Sequence, residues 1–217
     1  MRVIAGSAKG RVLKSVPGSG TRPITDRVKG ALFNILGPSI VGARVLDLFA
    51  GTGSVGIEAL SRGAASVTFV ERDRRAIRTI KENLRITGLA ERATVIQEDV
   101  FHFLNRRRQQ PFDIIYIAPP QYRGLWARTL AALDKAPLLV EGGLAIAQLF
   151  PKEYAPLDLA TLKLVDQRRY GSTLLCFYRA ASIEDGGEGQ NNESCPSETS
   201  SPTTWNSRFP AGGIGGR

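Results

Sequence analysis

The chain has 217 residues, 42% of them hydrophobic, which suits one domain with a proper core plus extensions. No apolar run is long enough to span a bilayer, and the start, Met1-Arg2-Val3-Ile4-Ala5-Gly6, lacks a signal-peptide core, so a soluble, cytoplasmic protein is expected, and it is read as a monomer. The net charge is +9, yet residues 181–217 carry five acids and two arginines, so the first 180 residues hold +12 and call for a polyanionic partner.

In chain order, residues 1–20 read as a basic extension. Two short strands, Val3-Ile4-Ala5 and Val12 to Val16, flank the turn Gly6 to Gly10. Within the first 30 residues Arg2, Lys9, Arg11, Lys14, Arg22, Arg27 and Lys29 face the single acid Asp26, a concentration that fits a phosphate backbone and makes these seven the candidate RNA contacts. Thr25 or Asp26 caps a helix whose apolar positions, Val28, Ala31, Leu32, Ile35 and Leu36, share one face.

From Arg44 strands and helices alternate: strand 44–48, helix 54–62, strand 66–70, helix 73–86, strand 93–97, helix 99–107, strand 112–117, helix 124–134 and strand 143–149. Such alternation predicts an α/β domain over 21–180, a mostly parallel sheet with helices on both faces. Strands near Leu162 to Val165 and Thr173 to Tyr178 have only a short link between them, which predicts an antiparallel edge hairpin and brings the sheet to seven strands. Residues 181–217 have little to bury and read as a disordered, low-complexity tail. Cys176 falls in an apolar strand and Cys195 in the tail, so neither a disulfide nor a metal site is expected; His102, the only histidine, reads as a partly exposed helix residue.

Val45-Leu-Asp-Leu-Phe-Ala-Gly-Thr-Gly-Ser-Val-Gly56 runs an apolar strand into a glycine-rich turn and a helix. Gly51, Gly53 and Gly56 have the spacing at which backbone amides approach an adenosine-bearing cofactor. Glu71, at the end of the next strand, is placed to accept from both ribose hydroxyls. Asp47 separates the cofactor classes. A carboxylate just before the turn opposes a pyrophosphate but attracts the sulfonium and ammonium of S-adenosylmethionine. A nicotinamide dehydrogenase keeps only the glycine spacing in its favour. Asp47, Glu71, Asp99 and Ala118-Pro119-Pro120 all fall at carboxyl ends of strands, where sheets of this kind bind ligands.

The strand Phe112 to Ile117 leads into Ala118-Pro119-Pro120-Gln121-Tyr122. Two prolines fix the φ angles and hold carbonyls outward, a geometry suited to accepting from an exocyclic amine while the nearby ring stacks on its base. Here the chain resembles the RsmD family of 16S rRNA guanine-N2 methyltransferases over residues 1–179. The likeness is carried by Arg2-Val3-Ile4-Ala5-Gly6 with Lys9-Gly10-Arg11, by Thr21 to Lys29 leading into Ala31 to Leu36, and by Leu46 to Gly53. The resemblance implies a Rossmann-like class I methyltransferase fold, S-adenosylmethionine as methyl donor, and as acceptor a guanine of 16S rRNA, free or in the assembled small subunit. By position, Asp47, Gly51 and Gly53 would line the methionine end, Glu71 the ribose, and Asp99 the adenine amino group, with Phe49 and Arg72 also among the cofactor contacts. Arg22, Thr25 and Asp26 would lie over the cofactor or the entering base, and Ala118, Pro119, Pro120, Gln121 and Tyr122 would form the catalytic loop.

Two departures matter: the family's usual Asp-Pro-Pro-Tyr/Phe stands here as Ala118-Pro119-Pro120-Gln121-Tyr122, and Gly30 replaces a common glutamate. Either Tyr122 reaches the base by a shifted turn or Gln121 takes over as amide acceptor. Two other readings stand beside guanine-N2 transfer: adenine-N6 methylation, which uses a similar proline motif, and a ribosome-assembly factor that binds the donor without catalysis.

Overall fold

Successive residues of a strand point to opposite faces, and in the central strands both faces are apolar and buried. In the computed structural model, which describes residues 1–18, 24–106 and 110–181, helix α1 (Asp26–Leu36) precedes β1 (Arg44–Leu48), α2 (Ser54–Ser61), β2 (Ser66–Glu71), α3 (Arg74–Thr87), β3 (Ala93–Gln97), α4 (Val100–Leu104), β4 (Phe112–Ile117), α5 (Leu125–Asp134), β5 (Leu139–Leu149), β6 (Leu162–Tyr170) and β7 (Thr173–Ala180). The sheet order is β3-β2-β1-β4-β5-β7-β6, with β1 to β5 parallel and β7 antiparallel to both its neighbours. Strand order reverses between β1 and β4, which puts the ligand crevice of this Rossmann-like fold above their carboxyl ends.

Val45, Val67, Phe69, Ile114, Ile146 and Phe177 pack on one side with Leu32 and Phe33 of α1, Ile57 and Leu60 of α2, and Ile80 and Leu84 of α3. Leu46, Leu48, Ile115, Ile117, Ala147 and Cys176 pack on the other with Phe103 of α4 and Trp126, Leu130 and Leu133 of α5. Gly56 lets α2 press onto β2. A Cβ there would lie 2.3 Å from the Phe69 ring and 2.8 Å from Val67. Gly56→Ala is therefore expected to overpack this contact and lower the unfolding free energy by about 1–3 kcal/mol; an unchanged urea midpoint would contradict the packing.

The helices begin where side chains satisfy their first amides. Thr25 accepts from the Val28 N–H at α1, Asp73 from Arg75 at α3 and Asp99 from Phe101 at α4. α4 stops at Leu104, shorter than the expected 99–107, with Asn105 as its C-cap. β5 begins four residues before the expected 143, through a register shift and the left-handed Gly142. β6 continues past Val165 to Tyr170 around a second irregularity opposite β7, its exposed edge carrying Gln167, Arg168 and Arg169 where alternation gives no signal.

The N-terminal segment is built into the body. Its pairing is a single antiparallel bridge, Arg2 with Val12, rather than two strands, and Val3, Ala8 and Leu13 are buried in the same core as α1 and α2. Glu58 of α2 anchors it: the wholly buried carboxylate accepts from the backbone amides of Ile4 (2.8 Å) and Ala5 (3.0 Å), from Lys29 Nζ (3.3 Å) and from Arg62 Nε (2.8 Å). This corrects the expectation for Lys29. Its ammonium is fully buried between Glu58 and the Arg2 carbonyl (2.7 Å) and cannot meet RNA. Burial pulls Lys29 below its ordinary pKa while Glu58 pushes it back up. Residues 182–217, including Cys195 and the expected tail, and Arg22 lie outside the described residues. Among the described residues no helix is long and apolar enough to cross a membrane.

Candidate active site

Beyond β1 the chain turns through Phe49 to Gly53 before α2 starts. Phe49 (φ 59°), Gly51 (φ 56°) and Gly53 (φ 74°) are all left-handed, and Gly53 is the N-cap of α2. Glycine takes this conformation freely; Phe49 is held in it at a cost on the order of 1–3 kcal/mol. The Glu71 carboxylate fixes the turn from the neighbouring strand, accepting from Gly51 N–H (3.0 Å) with one oxygen and from the N–H groups of Arg72 (2.8 Å) and Asp73 (2.9 Å) with the other. Asn83 of α3 braces it from below. Its Nδ2 donates to the carbonyls of Thr52 (2.9 Å) and Lys14 (3.1 Å), and its Oδ1 accepts from Lys14 N–H (2.7 Å).

Asp47 is 2% exposed, and its Oδ2 accepts from the N–H of Gly56 at 3.0 Å. Gly56 is the third residue of α2, so this carboxylate occupies the helix-terminal amide that would otherwise meet a phosphate. Burial pushes the Asp47 carboxyl up to about 8, the Gly56 bond opposes the rise, and Glu71 adds to it.

Over these strand ends lies a cleft of about 1100 Å³. Asp47, Phe49, Gly51, Glu71, Arg72 and Asp99 line it, as do Ala118, Pro119, Pro120, Gln121 and Tyr122. Gly53 and Thr25 do not line it; they act from behind as caps of α2 and α1, and Ile24 is the lining residue beside Thr25. Asp99 offers the cleft a carboxylate already bonded to Phe101 N–H (2.9 Å). Ala118 continues β4 through a bond from its N–H to the Leu48 carbonyl (3.4 Å). The residue inserted after the prolines is absorbed at Tyr122, which is left-handed (φ 60°), donates its N–H to the Glu153 carboxylate and sets its ring 5.5 Å from that of Phe150. Tyr122 is 70% exposed at the cleft mouth.

Other cleft residues carry no signal in the sequence, among them Tyr116, Gln148 and three arginines. Tyr116, buried on β4, donates its hydroxyl to Gln148 Oε1 of β5 at 2.5 Å, and both line the cleft. Arg123 and Arg128 add cations to the rim beside Arg72 and Arg75, with the Arg128 guanidinium 4.7 Å over the Phe101 ring. Of the expected RNA contacts, Arg2, Lys9, Arg11, Lys14 and Arg27 reach the surface; Lys14 pairs with Glu82 (3.1 Å) and Arg2 approaches Asp26 (3.7 Å).

Residues 1–179 match the family described as Conserved hypothetical protein 95. The chain belongs to the RsmD family. This RsmD-family chain is 40% identical over 181 residues to YlbH of Bacillus subtilis, covering 82% of this chain and 98% of that one. It is 42% identical over 134 residues to the Ribosomal RNA small subunit methyltransferase D of Escherichia coli K12, covering 62% of this chain and 67% of the relative. The solved structure of Escherichia coli yhhF has a TM-score of 0.75 at 36% identity, covering 83% of this chain and 98% of that one. The sheet is thus a class I methyltransferase fold, and a methyltransferase is what the RsmD family and these geometries jointly support.

Proposed function

We propose that this protein transfers a methyl group from S-adenosylmethionine to the exocyclic N2 of a guanine in small-subunit ribosomal RNA. The observation that carries the reading is Asp47. Asp47 is buried under the turn and takes up the α2 amide that a pyrophosphate would use, and a cation bound beside it draws its carboxyl into the ionised form; the methyl donor carries two cationic centres and no phosphate. The remaining residues suit the donor as well: Glu71 for the ribose hydroxyls, Asp99 for an amino group, and a cleft large enough for a nucleoside with its amino-acid arm.

S-adenosylmethionine supplies a methyl group on a sulfonium that an amine nitrogen displaces in line, the sulfur keeping the bonding electrons and the amine then losing a proton to water. What the chain must add is alignment, because holding the reactants about 3–3.5 Å apart supplies much of the acceleration. The proline-fixed carbonyls of Ala118 and Pro119 accept from the amine and aim its lone pair. Tyr122 stacks on the unstacked base and offsets part of the cost of extruding it. Arg72, Arg75, Arg123 and Arg128 at the rim, with Arg2, Lys9, Arg11 and Lys14, hold flanking phosphates and set register without reading sequence. The RNA assignment is supported by the relatives named for small-subunit ribosomal RNA in Escherichia coli and Haemophilus influenzae, the latter 36% identical over 179 residues.

The test is methyl transfer from labelled donor to small subunits lacking the modification, followed by nucleoside identification. N2-methylguanosine is the expected product. Labelled N6-methyladenosine would replace this reading with the adenine one, and donor binding without turnover on any form of the subunit would favour the assembly-factor reading that Ala118 suggests.

A further inference from the structure

We propose that Gln148 reads the Watson–Crick edge of the target base and selects guanine, an inference that rests on the methyl-transfer reading above. Strands β4 and β5 run parallel with Ile117 opposite Ala147, so the next residues, Ala118 and Gln148, stand side by side at the strand ends. Tyr116 and Ile146 belong to the same core face, so residues two positions on project to that side too, where both line the cleft. Just beyond β4 the chain offers only a methyl group, at Ala118. The polar side chain at this point of the floor comes from β5.

That side chain is pinned. Tyr116, 3% exposed and paired in register with Asp47, donates its hydroxyl to Gln148 Oε1 at 2.5 Å, a separation that suits O–H···O and is too short for an amide N–H facing the hydroxyl. The half-buried Gln148 then presents the second lone pair of Oε1 and, beside it, an Nε2 that has no hydrogen-bond partner among the described residues. Guanine offers the complement in the same order, an N1–H donor next to the O6 acceptor. Adenine offers the reverse, an N1 acceptor next to an amino donor, and mismatches at both positions. Pairing through N1 and O6 leaves the guanine N2 uncommitted on the far side of N1, free for the carbonyls of Ala118 and Pro119. A site built to bond a polar edge rejects an analogue lacking that edge far more strongly than an apolar pocket rejects extra bulk.

The experiment replaces the modified guanine with 2-aminopurine, which keeps the N2 amine and lacks both O6 and N1–H, and compares kcat/KM for methyl transfer on the two substrates. The wild-type protein is expected to prefer guanine by about 10- to 100-fold, the range of one bidentate base contact. Gln148→Ala is expected to lose most of that preference, chiefly by losing activity on guanine, with donor Kd unchanged. Tyr116→Phe, which releases the amide, is expected to lie between. Gln148→Met fills the same volume and repeats the test without a void should the alanine variant melt lower. A variant that keeps the wild-type preference, or that loses activity equally on both substrates, overturns the inference while leaving N2 transfer standing. Wild-type protein that places no methyl group on guanine N2 overturns the proposed function itself.

Discussion

Glu58→Ala is expected to lower the unfolding free energy by about 3–5 kcal/mol, the cost of removing one partner of a buried ion pair. Four donors converge on this fully buried carboxylate: the amides of Ile4 and Ala5, the ammonium of Lys29 and the guanidinium of Arg62. Arg62 is partly exposed and can turn to water. Lys29 cannot, because its side chain is completely buried on α1. Removing Glu58 thus strands a cation and two backbone donors at once. The double variant Glu58→Gln/Lys29→Met restores a neutral site of similar volume and is expected to recover more than half of the loss; urea unfolding of the two variants measures the difference. If Glu58→Ala shifts stability by less than about 1 kcal/mol, the anchor is not where the N-terminal segment is held. The functional corollary is specific to Arg2, Lys9, Arg11 and Lys14, whose backbone is fastened through Glu58 and Asn83: the same variant is expected to weaken RNA binding.

Much of the frame is legible in the chain because it depends on local rules. Apolar runs such as Val45 to Leu48 and Phe112 to Ile117 mark strands buried on both faces, and Thr25, Asp73 and Asp99 mark helix starts through their capping chemistry. Placement of residues at the cleft is legible for the same reason: strand ends are where parallel sheets bind ligands, and Asp47, Glu71, Asp99 and Ala118 stand at or just beyond strand ends. What is not legible depends on pairs distant in sequence. Lys29 reads as one more cation of a basic run until α1 and α2 pack and bring Glu58 against it. Glu58 does leave a trace, as a lone acid among the apolar residues of Gly56-Ile-Glu-Ala-Leu60. Gln148 leaves none: its meaning comes from the β4–β5 register and from Tyr116 thirty-two residues away. The N-terminal segment mimics a pair of strands because its short apolar runs, Val3-Ile4-Ala5 and Val12-Leu13, are there for a different reason, the burial of Val3 and Leu13 in the core shared with α1 and α2 rather than in a sheet.

Asp47→Asn is expected to stabilise the fold and weaken donor binding together, with opposite dependences on pH. The folded-state carboxyl titrates at about 8, far above the ordinary value near 3.9, because burial penalises its charge and Glu71 adds repulsion. Between about pH 4 and pH 8 the folded protein therefore holds a proton that the unfolded chain has released. Fewer protons bound by the unfolded state means that this group's contribution to stability falls as pH rises through that window, by up to about 1.4 kcal/mol per pH unit. Asparagine has no such loss and still offers an oxygen to the Gly56 amide. The variant's advantage in melting temperature is expected to be small at pH 5 and largest at pH 8. Donor binding runs the other way. A cation beside Asp47 favours the ionised carboxylate, so the wild-type protein is expected to release a proton on binding near neutrality and to gain affinity as pH climbs toward 8. The asparagine variant loses both effects and binds the donor at least about tenfold more weakly, the equivalent of one charge-assisted bond. Titration calorimetry in buffers of different ionisation enthalpy reads the proton directly. Equal donor affinity in the two proteins, or a binding curve flat from about pH 6 to pH 8, would remove the electrostatic basis on which the methyl donor is preferred to a phosphate-bearing cofactor.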